Sequence, residues 1–186
     1  MSTNRGRRVE HTLSDITWFL LSGGNSSRFG SNKADAHLGT TSLRQRVVAA
    51  IPGTAIDVDA RYQGGPAHAL VTAVRESGEV SAAGVVAVDM PFVGEALQAL
   101  VNAWPTCSAD ALVVRSSDGR AQWICAIYRA APLLQAAAQV NTDGLGMFQL
   151  TKDLVIEYLD VPDAVATMDV DTVADLEQAE REINGR

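Results

Sequence analysis

The chain has 186 residues, 47% of them hydrophobic, which suits one globular domain with a sizeable core. Fifteen Lys and Arg against 22 Asp and Glu give a net charge of −7, which argues against a general nucleic-acid or anionic-membrane binder. Cys107 and Cys125 lie far apart without a CxxC spacing, so we expect no zinc knuckle or disulfide framework but two reduced, buried thiols in a cytoplasmic protein.

The first residues differ in character from the rest of the chain. Residues 1–15 are polar and include three arginines between Arg5 and Arg8. No apolar run of signal-peptide length follows, and no segment is long and apolar enough for a membrane helix. We therefore expect a flexible tail over 1–15, a single domain over 16–186 and no membrane association.

Short apolar runs then alternate with helical patterns. Apolar runs without polar alternation are typical of strands covered on both faces, and apolar residues at i, i+3 and i+4 with a breaker beyond indicate helices. Strands are predicted at 16–23, 84–91, 111–117, 122–129 and 155–161, and helices at 41–51, 65–78, 92–104, 130–140, 145–154 and 172–183. This rhythm predicts a three-layer α/β fold with a mostly parallel, Rossmann-like sheet, in which ligands bind at the carboxyl ends of the strands.

The first strand runs into LSGGNSSRFGSNKA, residues 21–34, a loop with little side chain. Glycine lets the backbone approach a ligand closely, so that consecutive N–H groups can point at phosphate oxygens. A plain loop would use the same glycines, but Arg28 and Lys33 just beyond them favour an anion site. Neither a Walker A loop nor a G-x-G-x-x-G fingerprint is present, so no motif indicates a P-loop hydrolase or a Rossmann dehydrogenase.

This loop resembles the nucleotide-binding signature of the molybdenum cofactor guanylyltransferases, the MobA-like enzymes of the nucleotidyltransferase group with a glycosyltransferase-A-like fold. Three later segments are similar to family motifs in the same order: QGGPAHAL at 63–70, VAVDMPFV at 86–93 and MDVDTVADLEQ at 168–178. The resemblance covers residues 17–179.

The resemblance implies roles for individual residues. It implies nucleotide binding by Leu21, Ser22, Gly23, Gly24, Arg28, Lys33, Asp59, Gly64, Gly65 and Asp89. Lys33, Arg28 and Asp89 are the implied catalytic residues, and Asp89 with Asp171 the implied ligands of Mg²⁺, a cation that prefers oxygen ligands.

Other interpretations of the aspartates stay open. Asp89 could cap the helix that follows it, since an aspartate shortly before a proline and a helix is also a capping pattern. Asp169 and Asp171 match the first and second asparagines of the family motif N-V-N-T, and either could cap the last helix together with Thr172. Asp59 is implied to contact guanine, with Asp57 as a competitor for that role.

The sequence also departs from the family. The segment 39–64 is shorter than the corresponding segment of the family, so one strand-helix pair is shortened or missing. Ala69 stands where the family has a glycine. Residues 116–129 follow a strand, so they are a candidate wall of the pocket that binds the acceptor substrate. Trp18 and Trp123 are predicted to lie in the core.

The implied reaction transfers GMP from GTP to the terminal phosphate of molybdenum-molybdopterin and releases pyrophosphate. The partners are then GTP, a molybdopterin-type acceptor and, transiently, proteins that deliver or accept the cofactor, with no nucleic acid. Alternatives are a CTP-dependent enzyme for the same acceptor, a nucleotidyltransferase for another phosphorylated acceptor, and a non-catalytic GTP-binding homologue.

Overall fold

The computed structural model describes residues 16–23 and 33–185. The predicted tail over 1–15 lies outside this part of the chain, and its flexibility stays a prediction, as does the single domain over 16–186. The strands are β1 (Ile16–Leu21), β2 (His37–Leu38), β3 (Thr41–Ser42), β4 (Ala55–Val58), β5 (Ala82–Ala87), β6 (Ala111–Arg115), β7 (Ala121–Arg129) and β8 (Ile156–Asp160). The helices are α1 (Leu43–Ala50), α2 (Gly65–Glu76), α3 (Gly94–Ala103), α4 (Ala130–Ala137), α5 (Met147–Thr151) and α6 (Val173–Gly185).

Six of these strands form one sheet in the order β4-β1-β5-β7-β6-β8. The pairs β1 with β4, β1 with β5, and β6 with β8 are parallel, whereas β7 runs antiparallel to both of its neighbours. The mostly parallel α/β fold is thus confirmed, and each predicted strand and helix is present. The sequence did not predict β4, which lies in the short segment 39–64 and forms an edge of the sheet beside β1.

Helices cover both faces of the sheet, which gives the predicted three layers. Adjacent residues of β1 point to opposite faces: Trp18 packs in the cluster that contains α1 and α3, and Phe19 packs in the cluster that contains α2, α4 and α5. Trp18 is 1% exposed, so its predicted place in the core is confirmed. Because both faces are buried, the strands are apolar throughout, which is the pattern that made them recognisable.

A third, smaller cluster fixes the segment before α6. Val170 is fully buried together with Leu38, Leu43 and Ala179, so α6 packs against the β2-β3 hairpin and the start of α1. The Val170 N–H also donates to the Asp89 carbonyl at 2.9 Å. This contact holds the residues on both sides of Val170 beside the end of β5.

Both cysteines are buried free thiols, as predicted. Burial raises the pKa of the Cys125 thiol to about 12, and burial likewise raises that of Cys107. A buried thiol that stays protonated is a poor nucleophile and metal ligand. Within residues 16–23 and 33–185, no helix has the length and apolar character needed to cross a membrane.

Candidate active site

The parallel strands β4, β1 and β5 end at one edge of the sheet. The Ser22 N–H donates to the Val58 carbonyl at 2.9 Å, and the Val88 N–H donates to the Leu21 carbonyl at 3.0 Å. Residues that follow these strands therefore emerge side by side. Open α/β sheets bind ligands at this edge. Leu21, Ser22 and Asp89 lie at this edge, as the sequence predicted, and their binding of a nucleotide stays a prediction.

Gly23 lies directly against the loop that follows β4. A Cβ atom on Gly23 would come within 2.6 Å of the Asp59 carbonyl oxygen and 2.7 Å of its carbon. These are backbone atoms, so no side-chain rotation would relieve the overlap. The sequence suggested that a glycine here allows close approach to a ligand. The structure gives a second reason for a glycine at this position, which is the close approach of the loop after β4.

Ser22 is engaged through both of its polar groups. Its N–H is bonded to β4, and its hydroxyl donates to Asp57 Oδ1 at 2.7 Å. Arg44 on α1 forms a salt bridge with Asp57 and reaches the Ser22 hydroxyl oxygen at 3.4 Å. The expected cradle of backbone N–H groups therefore cannot include that of Ser22 in this arrangement. Ser22 instead anchors the start of the loop to β4 and α1.

Arg44 thus has the geometry of a positioning residue for the loop. We expect Arg44→Met to raise the KM for the nucleotide about 3- to 10-fold, which corresponds to roughly 1 kcal/mol, with kcat within about threefold of wild type. Stability should change little because the pair is only partly buried. Steady-state kinetics check this, with Arg75→Met at the far end of α2 as the control. An unchanged KM in Arg44→Met would contradict the role.

Asp59 lies just beyond β4, beside Gly23. Its carboxylate accepts from the backbone N–H of Arg61 at 3.0 Å and from the Arg61 guanidinium at 2.9 Å. These two hydrogen bonds hold the pKa of the Asp59 carboxyl below its usual value. Both candidates are thus engaged in this structure, Asp59 by Arg61 and Asp57 by Ser22 and Arg44, and Asp59 lies ionised at the expected edge. Contact of Asp59 with guanine stays a prediction.

Gly64 and Gly65 form the entry to α2, both in the left-handed region with φ of 95° and 85°. The Gly64 carbonyl accepts from the Gly144 N–H at 2.7 Å, and a Cβ on Gly64 would lie 2.7 Å from Asp143 Oδ1. The loop before α5 therefore closes onto this turn. The nucleotide contacts predicted for the two glycines remain untested. Ala69, the departure from the family, is buried in the core.

The basic part of the predicted loop falls mostly outside the described residues. Gly24 and Arg28 both lie there, so their predicted roles have no structural description. Lys33 begins a short 3-10 turn, Lys33–Asp35, that leads into β2.

Three aspartates line one cavity of about 360 Å³ at the end of β5. Asp89 comes from the turn after β5, and Asp169 and Asp171 flank the buried Val170. Neither N-cap position is held by one of these aspartates. The residue at the N-cap of α3 is Val93, and the start of α6 is capped by Thr172 and Asp175, whose side chains each accept from the other's backbone N–H. The sequence predicted that Asp89 and Asp171 lie at one site, and in the structure they line the same cavity, together with Asp169.

A sequence model of the MobA-like NTP transferase domain matches residues 52–152, more than half of the 186 residues. The chain belongs to this family. No curated protein matches the sequence significantly.

Solved structures share the fold of this MobA-like chain. The molybdopterin-guanine dinucleotide biosynthesis protein A of Archaeoglobus fulgidus superposes with a TM-score of 0.76 at 20% identity, over 91% of this chain and 100% of its own. The Mycobacterium sp. strain JC1 homolog of Rv0371c gives 0.73 at 19% identity, over 92% and 98%. The 2-C-methyl-D-erythritol 4-phosphate cytidylyltransferase of Thermus thermophilus gives 0.61 at 19% identity, over 91% and 99%. The nucleotidyltransferase fold predicted from the sequence is thus confirmed.

The carboxylates of this MobA-like site suit a hard cation. No group of three His, Cys, Asp or Glu side chains that could hold a metal occurs within residues 16–23 and 33–185. Mg²⁺ does not require one, because it is commonly bound by one or two carboxylates together with waters and substrate phosphates. The carboxylates of Asp89, Asp169 and Asp171 are of the kind that such a shared site uses, and magnesium binding by Asp89 and Asp171 stays a prediction.

The same cavity is lined by aromatic residues as well as by the aspartates. Trp123, which was expected in the core, packs against it but is only half-buried, and it also lines the cavity with Phe148. The strand residues 121–124 form one wall, within the segment 116–129 that the sequence suggested as an acceptor wall. No local signal distinguishes Trp123 from a core tryptophan, because its place depends on how β7 pairs with its neighbours.

Proposed function

We propose that the protein transfers GMP from GTP to the terminal phosphate of molybdenum-molybdopterin, giving the guanine dinucleotide form and pyrophosphate. The observation that carries the proposal is the cavity lined by Asp89, Asp169 and Asp171, whose strand β5 lies directly beside β1, the strand that leads into the loop of Ser22 and Gly23. Membership of the MobA-like family supports nucleotidyl transfer, and the likeness to the molybdopterin-guanine dinucleotide biosynthesis protein of Archaeoglobus fulgidus suggests the guanine and molybdopterin specificity.

The reaction needs alignment more than a strong base. An oxygen of the acceptor's terminal phosphate is already anionic and attacks the α-phosphorus of GTP. The new P–O bond forms as the bond from the α-phosphorus to the bridging oxygen breaks, and pyrophosphate carries away the electron pair. The chain's part is to hold the two phosphates in line and to balance their charge.

Arg28 and Lys33 are assigned to the triphosphate, where the fork of an arginine grips oxygens and a lysine follows the transferred group. Asp89, with Asp169 or Asp171, would hold the metal. A bound Mg²⁺ supplies charge neutralisation and orientation at the phosphates. Ser22, Asp57 and Arg44 keep the start of the loop on the sheet.

Base choice is assigned to Asp59, whose carboxylate can accept from guanine N1–H and from the exocyclic amine. Adenine lacks this pair of donors and so could not replace the hydrogen bonds that Asp59 makes with Arg61, whereas guanine could. The cytidylyltransferase among the structural neighbours makes CTP the second candidate donor.

The test measures pyrophosphate release with GTP, CTP, ATP or UTP, Mg²⁺ and the molybdopterin acceptor. We expect release with GTP only, and release with CTP alone would replace the guanylyl assignment by a cytidylyl one. A thermal-shift panel of the four nucleotides separates binding from turnover. Ligand at a hundredfold excess over its Kd adds about 2.7 kcal/mol, or roughly 5–10 °C in Tm for a domain of this size. Stabilisation by GTP without pyrophosphate release would indicate a non-catalytic binding protein.

A further inference from the structure

Strand β7 departs from regular pairing where it passes the cavity. Val113 of β6 pairs with Ala126, but the next residue, Val114, pairs with Gln122. On the other side, the pairing of β5 with β7 ends at Val86 and Cys125. Trp123 therefore has a register partner on neither neighbour. Irregularities of this kind bend a strand and redirect its side chains, and they are frequent beside binding sites.

A hydrogen bond from a buried tyrosine holds the backbone at the irregularity. The Tyr128 hydroxyl donates to the Trp123 carbonyl oxygen at 2.7 Å. Tyr128 is fully buried, and burial raises the pKa of its hydroxyl, which therefore remains a proton donor at any working pH. The backbone at Trp123 is thus held by a bond that would be costly to leave unmade.

Trp123, Phe148 and Tyr158 form a group of rings that we call the aromatic shelf. The Trp123 ring centroid lies 5.5 Å from that of Phe148 and 6.3 Å from that of Tyr158, at interplanar angles of 53° and 75°. Phe148 is 56% exposed and Tyr158 is 42% exposed. The two cavity-lining rings of the shelf, Trp123 and Phe148, therefore offer aromatic surface to a ligand as well as to each other.

The shelf lies on the acceptor side of the cavity. In the sheet order, β4 and β1 carry the loop that contains Ser22 and Gly23, and β5 carries Asp89. Strand β7 with Trp123 follows beyond β5, so Asp89, at the end of β5, stands between the loop and the shelf. A group seated on the shelf would reach Asp89 from the side opposite the nucleotide loop.

Two amides complete the wall. Gln122 and Gln149 line the same cavity, beside Trp123 and Phe148. A primary amide offers both hydrogen-bond donors and an acceptor. Aromatic faces together with amide groups suit a flat ring that has nitrogen and oxygen atoms along its edge, which can stack on the rings and pair with the amides.

We propose that Trp123 and Phe148 are the acceptor subsite and that they bind a planar heteroaromatic ring by stacking, with Gln122 and Gln149 at its edge. This inference rests on the proposed nucleotidyl transfer, and it adds which residues select the acceptor. Stacking of a flat ring on an aromatic side chain is strong enough that loss of one such contact weakens binding about 10- to 100-fold.

The experiment uses the full chain with saturating GTP and Mg²⁺, and neopterin as a heteroaromatic probe that has no phosphate to react. Trp18 and Trp104 are each 1% exposed, so contact quenching by a bound ring acts mainly on Trp123. Energy transfer from the two buried tryptophans to the pterin is measured in a variant without Trp123 and subtracted. We expect neopterin to quench the fluorescence, whereas glucose 1-phosphate, a non-aromatic phosphate, should not. Calorimetry then gives the Kd independently of the fluorescence.

Variants identify the ring contacts. Trp123→Phe is the matched control: it should lose the part of the quenching that comes from Trp123 and keep the calorimetric Kd within about threefold. Trp123→Leu and Phe148→Leu should each weaken neopterin about 10- to 100-fold and leave the GTP thermal shift unchanged. Because Phe148 is already exposed, its substitution is expected to preserve folding even if Trp123→Leu does not.

The inference is overturned if neopterin does not bind, if both leucine variants retain its affinity, or if they weaken GTP instead, which would place the nucleotide on the shelf. None of these readouts needs turnover. Loss of guanylyl transfer in favour of another donor nucleotide would therefore overturn the proposed function and leave the result for the shelf unaffected.

Discussion

Replacing Asp89 with asparagine is expected to lower pyrophosphate release from GTP about 10²- to 10³-fold, in the presence of Mg²⁺ and acceptor. Asparagine has nearly the same shape but no charge, so it would hold a cation and its phosphates poorly. The fold should persist, because it is the Asp89 carbonyl, which every residue has, that accepts the Val170 N–H. Initial rates with saturating GTP measure the effect.

The matched control for this charge change is Asp153→Asn, at the end of α5 away from the cavity, where activity should stay near that of wild type. Thermal melting of both variants separates loss of activity from loss of folding. Turnover of Asp89→Asn within threefold of wild type would remove Asp89 from the catalytic site. In that case Asp169 and Asp171 would be the remaining candidates.

The second large effect is expected for Gly23→Ala. The added methyl carbon would lie 2.6 Å from the Asp59 carbonyl oxygen, so β1 and the loop after β4 must separate. Overpacking of this kind costs about 1–3 kcal/mol, or roughly 3–10 °C in Tm for a domain of this size. Because the same shift moves the start of the nucleotide loop, transfer should fall about 10- to 100-fold.

Gly94→Ala is the matched control for the alanine substitution. Gly94 begins α3, and an added Cβ would meet only the Ala50 methyl at 3.6 Å, an ordinary contact. Its Tm should equal or exceed that of wild type, because alanine is the better helix former. A Tm of Gly23→Ala as high as that of Gly94→Ala would show that the β1 and β4 loops have room to separate without cost.

Short-range patterns were enough to predict much of the fold. The runs that became β1, β5 and β6 are apolar because both faces of the sheet are covered, and a glycine loop or a lone aspartate directly after such a run must emerge at its edge. Strand β4 was missed because AIDV is only four residues long and contains a charge. The shelf was missed because Trp123 lies in an apolar run that reads as core.

The sequence by itself determined the class of fold, the family and the positions of Gly23, Asp89 and Asp171 at strand ends or beside a helix start, because each depends on neighbouring residues along the chain. Only the tertiary structure decided what those positions face. Ser22 is bonded to β4 and Asp57, Gly23 is pressed against Asp59, and Trp123 is turned into a cavity. These outcomes follow from strand register and from one irregular pairing of β7. Register is set by contacts between residues far apart in sequence, which no local pattern encodes.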